Sequence, residues 1–175
     1  MRPHLFYALS VVLLVVLGLG GCSSPGESHS YSVENVEILL AGPLFEGPNS
    51  GQIALEIDLA AAIGDTYSPD TKVTSARLLK AEVVPGDSSG FDAVRSFVLS
   101  FASDNTDVPM QEAASLNPVP AGTDLVALEV APEAELGSLV AEGKLYVILD
   151  ADLAADYLDG DRRFLVNLEL SITAK

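Results

Sequence analysis

The densest chemistry in this chain is acidic. Asp150, Asp152, Asp159 and Asp161 lie in one run, Asp150-Ala151-Asp152-Leu153-Ala154-Ala155-Asp156-Tyr157-Leu158-Asp159-Gly160-Asp161. Carboxylate oxygens are hard ligands, and Ca²⁺ takes about 6–8 oxygens. Residues two apart point to the same side of a strand, so Asp150 and Asp152 would project together. Asp159 and Asp161 would bracket the turn that follows. This is the layout of a Ca²⁺ site at one pole of a β-sandwich, where strands enter and leave. It is not an EF-hand loop, because the sixth position from Asp150 is Ala155 and not the required Gly. The competing reading is that Asp159-Gly160 is an ordinary turn and the other acids are solvated.

Other chemistries lack their residues. The chain has 2 His, 1 Cys and no Trp. His4 precedes the apolar N-terminal run, and His29 falls in a small polar stretch, so a domain starting at about residue 33 would hold no His, Cys or Trp. Ser-His-Asp and Cys-His nucleophiles, thiol redox chemistry and zinc sites on His or Cys are then excluded from it. Neither common Gly-rich phosphate loop occurs. Carboxylate-pair catalysis stays formally open, but aromatics for a sugar platform are few. The expectation is a protein that is not an enzyme.

The N-terminus has a short basic stub, Met1-Arg2-Pro3-His4, then an apolar run from Leu5 to Leu17 broken only by Ser10, then small residues up to Cys22. This is the pattern of a secretory signal, and the run is short of the ~20 apolar residues that span a bilayer. Leu19-Gly20-Gly21-Cys22 resembles the lipobox of bacterial prelipoproteins. The resemblance covers residues 1–22. It implies removal of 1–21, a diacylglyceryl thioether on Cys22, and a protein held to a membrane without spanning it. Ser23 stands where Asp often marks inner-membrane retention, so the resemblance favours the outer membrane where the organism has one, facing periplasm or cell surface. With its one Cys used by the anchor, the mature chain can form no internal disulfide.

In the mature chain, residues 22–32 read as a flexible Ser/Gly-rich tether, reaching about 17 Å on average, and 33–175 as one domain. Period-2 apolar patterns mark strands near 34–40, 53–59, 73–84, 97–101, 125–130, 145–149 and 164–172. Gly/Pro/Asp turns separate them. Seven short strands with one apolar face each predict an all-β antiparallel sandwich of Ig-like or Greek-key type, with a small β-barrel as the alternative. One short helix is expected over Pro132–Gly143, with Pro132 in its first turn and Gly143 at its end. The Pro-bearing stretch Ser103–Gly122 is expected to be a long connection, a helical turn at Met110–Ser115, or a Pro-blocked edge strand.

The chain carries 9 Lys and Arg against 25 Asp and Glu, a formal net charge of −16. Arg2 is the only charged residue in 1–21, so the mature chain stands at −17. Such a chain is repelled by nucleic acid and by anionic headgroups. The expected function is a membrane-anchored envelope lipoprotein whose sandwich binds, adheres or builds. Its partners would be the membrane, through the lipid on Cys22, and an envelope protein. The alternatives are a carrier of a small apolar ligand, a Ca²⁺-dependent adhesion module and a carboxylate-dependent enzyme.

Overall fold

Alternation of buried and open positions runs through the last two strands without a break. In β9 (Arg162–Ala174) every second residue from Phe164 to Ala174 is a buried apolar side chain, and in β8 (Lys144–Leu153) Leu145, Val147, Leu149, Ala151 and Leu153 face inward. These are the central elements of two antiparallel sheets in a computed structural model, which describes residues 26–175. The expected signal segment, the lipobox and Cys22 lie outside the described residues.

The remaining strands are β1 (Glu27–Leu40), β2 (Gly47–Glu56), β3 (Val73–Pro85), β4 (Val94–Ala102), β5 (Gln111–Leu116), β6 (Val126–Ala127) and β7 (Glu129–Val130). One sheet has the order β1-β9-β3-β6 and the other β2-β8-β4-β5-β7. They pack face to face as an all-β sandwich. Between them Phe97, Leu99, Phe101, Val166 and Leu170 are wholly buried, and Leu168 nearly so. Phe91, Phe97 and Phe164 form an aromatic knot, with Phe97 edge-on to Phe164 at 5.2 Å.

The two sheets approach each other along both long sides. On one, Gly51 of β2 lies so near β1 that a Cβ there would sit 2.5 Å from the Leu39 carbonyl oxygen. On the other, a single stretch of chain changes sheets: β6 pairs with β3, the Leu128 amide donates to the Ala81 carbonyl, and β7 pairs with β5. This stretch pairs with part of the outer edges of β3 and β5, which would otherwise be open to other strands.

The structure departs from the sequence expectation at several places: the described residues form nine strands where seven were expected, the expected strand over 125–130 is split into β6 and β7 on different sheets, and 47–51, expected as a turn, belongs to β2. Residues 27–32, expected in the tether, are the start of β1, which pairs with β9 from Glu27↔Ala174 onward. The long β9 offers its backbone edge there, and Ser28 and Ser30 hydrogen-bond to Ser171 and Glu169. His29 therefore belongs to the sandwich, opposite Ile172, and the domain is not free of His. Ser103–Gly122 contains β5, a full strand of the second sheet, bulged opposite Leu99/Ser100. Residues 57–59 turn out of strand, because the Asp58 side chain accepts the Ala61 amide at 2.9 Å and caps α1 (Leu59–Ile63). The expected helix over 132–143 shrinks to α2 (Gly137–Ala141). Ahead of it Glu135 turns its carboxylate onto the amides of Ala76 and Gly137 and the Ser75 hydroxyl, which pins this segment to β3.

Candidate functional site at the acidic pole

Three connections meet where β1 ends and β9 begins: residues 41–46, 86–93 and 154–161. Leu44 and Tyr157 exchange both backbone hydrogen bonds at 2.9 Å, an isolated antiparallel bridge that ties the first connection to the third. Leu44 is buried and Tyr157 packs on the core, so this bridge has an inward and an outward face.

The four expected metal ligands separate here. Asp150 and Asp152 do project together from the outer face of β8. Asp150 sits between Ser50 and Val98, and Asp152 between Pro48 and Ser96. Asp152 is engaged by Arg95, at 3.4 Å from Nη1. Asp161 accepts the Gly42 amide at 2.9 Å. Asp159 is exposed in the turn before β9. Among the described residues no group of three or more His, Cys, Asp or Glu is placed to hold a metal ion. A Ca²⁺ ion drawing on all four would have to displace Arg95 from Asp152 and the Gly42 amide from Asp161.

The acids between and around them act as acceptors for backbone. Asp156 takes the Glu46 amide at 2.8 Å. Asp87 takes the amides of Ser89, at 2.8 Å, and Arg163, at 3.1 Å. Partial burial pushes the Asp87 carboxyl up, but those two amides and the nearby Arg162 charge pull it further down, so it ends below the usual carboxylate range. Arg95 links two connections at once, donating to Glu46 at 2.7 Å and to the Ala154 carbonyl at 3.4 Å.

At the centre is Arg162, 1% exposed. Its Nη2 donates to the Gly90 carbonyl at 2.7 Å and its Nη1 to the Asp92 carbonyl at 3.3 Å, while Nε stands 3.6 Å from Asp87 without a hydrogen bond. The guanidinium lies 5.2 Å from the Tyr157 ring centre and 5.5 Å from that of Phe164, so its charge is stabilised by ring faces as well as by acceptors. The sequence carried a signal for it. Counting back by two from Val166 and Phe164 lands on Arg162, which puts a cation on the inward register of the strand.

Outward, the pole shows two large apolar side chains, Phe45 at 57% exposed and Leu158 at 60%. They follow Leu44 and Tyr157, the two bridged residues, in the chain. The connection bearing Phe45 is clamped by Asn49, whose side-chain amide donates to the carbonyls of Phe45, at 2.8 Å, and Gly47, at 2.9 Å. Sequence reasoning missed both, because each stands alone outside any periodic pattern.

No protein-family model matches the chain, and no curated protein matches it.

Proposed function

We infer that this protein is a lipid-anchored, non-catalytic module of the bacterial envelope that holds its acidic pole away from the membrane. One observation carries the reading: β1 begins at Glu27 and runs to Leu40 at the acidic pole. If Cys22 is lipidated, only residues 23–26 separate the anchor from a rigid strand. At ~3.3–3.6 Å per extended residue such a link keeps the near end of the sandwich close to the bilayer. A strand of 14 residues at ~3.3 Å each then sets the acidic pole about 45 Å farther out. Large side chains fill the space between the sheets, which weighs against a carrier with an internal ligand cavity.

The test is mass spectrometry of the mature N-terminal peptide together with fractionation of Cys22→Ala. A diacylglyceryl-modified Cys22 at the new N-terminus, and release of the variant from membranes, is the expected result. An unmodified or internal Cys22 overturns it.

A further inference from the structure

The outward face of the acidic pole has the makeup of a docking tip. In an antiparallel bridge the residues following each partner lie diagonally across the ladder, about 7–8 Å apart and within reach of large side chains. Phe45 and Leu158 hold these positions around Leu44↔Tyr157, and both are more than half exposed. Phe45 is also held there. The Asn49 clamp, the Asp156 contact to the Glu46 amide and the Arg95–Glu46 pair fix the connection on both sides of it. An aromatic kept in solvent on a pinned loop has already given up the conformational freedom that binding would remove.

The rim selects the occupant. Asp92, Asp156, Asp159 and Asp161 are exposed around the pair. Among the cations of the pole, Arg162 is buried, Arg95 is paired with Glu46 and Asp152, and Arg163 reaches Glu37 at 3.9 Å. A second copy would bring the same negative rim, and an anionic bilayer would bring like charge. We propose that this pole docks a protein surface with an apolar pocket rimmed by Lys and Arg, Phe45 and Leu158 entering the pocket and the aspartates meeting the rim. The proposal rests on the envelope-module reading only for the direction in which the pole faces. Binding itself does not depend on Cys22.

The probe is a synthetic peptide alternating Lys and Leu, titrated into the isotope-labelled full chain in phosphatidylcholine nanodiscs and followed by backbone amide shifts. Saturating shifts confined to residues 43–47 and 156–160 are expected. Phe45→Ser with Leu158→Ser should weaken binding about tenfold or more, the loss typical of central anchor residues, while Asp159→Lys should weaken it less. Both serine substitutions are at exposed positions, and unchanged amide shifts elsewhere would show that the fold is retained. Shifts spread over the whole acidic surface, or equal affinity in the double variant, overturn the proposal. So do the same shifts produced by phosphatidylglycerol vesicles alone, or shifts that vary with protein concentration and thereby report self-association. Mass spectrometry of Cys22 is independent of all these outcomes, so failure of the anchor and failure of the docking tip are distinguishable.

Discussion

Replacing Arg162 by Met should loosen the acidic pole and destabilise the whole domain by about 3–4 kcal/mol. The side chain is 1% exposed and donates to the carbonyls of Gly90 and Asp92. Hydrogen bonds from a charged group contribute about 1.5–3 kcal/mol each, and breaking a buried ion pair from one side costs about 3–5 kcal/mol. The lower part of that range applies, because Asp87 keeps the Ser89 and Arg163 amides and is not left without partners. Met also retains most of the packing against Tyr157 and Phe164. The loop that Arg162 holds contains Ala93 at φ +64, a left-handed conformation that costs a non-glycine residue about 1–2 kcal/mol, so its hold is under load. For a domain of this size each kcal/mol moves Tm by about 2–4 °C, giving a fall of about 6–16 °C in thermal unfolding. The pH dependence is a second signature. Asp87 titrates below its unfolded value, so its stabilisation is complete above the unfolded carboxylate pKa and is lost as pH falls through the folded one. Part of that depression comes from Arg162, so Arg162→Met should be less acid-sensitive than the parent below about pH 4. An unchanged or raised Tm would refute the reasoning, since it would mean that dehydrating the guanidinium costs more than its contacts return.

Four further outcomes are expected. Phe101→Ala removes a wholly buried ring and should cost about 3–5 kcal/mol in urea unfolding with the m-value unchanged. Glu135→Ala leaves the Ala76 and Gly137 amides without their acceptor. Because this carboxylate is half-exposed, the cost should be about 1–2 kcal/mol, seen as faster hydrogen exchange along α2 and the facing part of β3. Gly51→Ala drives a methyl against the Leu39 carbonyl and should destabilise by about 1–3 kcal/mol through separation of β1 from β2, read as a lower Tm. For the calcium reading, with the four carboxylates separated, Ca²⁺ should raise Tm no more than Na⁺ and Mg²⁺ at matched ionic strength; a Ca²⁺-specific rise that vanishes in Asp159→Asn with Asp161→Asn, equivalent to about 2.7 kcal/mol at a hundredfold excess over the dissociation constant, would restore the site. An equal response to all three ions is charge screening.

The parts of this fold that could be read in advance are those where one face of a strand is uniformly apolar. The run from Phe164 to Ile172 shows its register in the sequence because every second residue is buried. β5 escaped because Gln111-Glu112-Ala113-Ala114-Ser115-Leu116 has neither β-branched nor aromatic residues, and its bulge places Ala113 and Ala114 both inward, which breaks the period. The first turns of β1 escaped because their stability comes from a partner at the far end of the chain, and no local pattern reports that. At the pole, the sequence showed the density of carboxylates but not their use. An Asp that accepts a backbone amide and one that waits for a cation are the same letter, and only the tertiary placement of Gly42, Glu46 and Arg163 separates them.

The position of β9 governs when the molecule can form at all. β1 and β3 both pair with β9 and do not adjoin each other, so the earlier strands leave one sheet with an empty centre until residues 162–174 are present. A ribosome or a translocation channel that has released everything up to β8 has released a chain with no native sheet of this kind to fold into. Completion of this sheet therefore waits on the last strand, and a chain cut before Arg162 should stay open to proteases in this half of the sandwich.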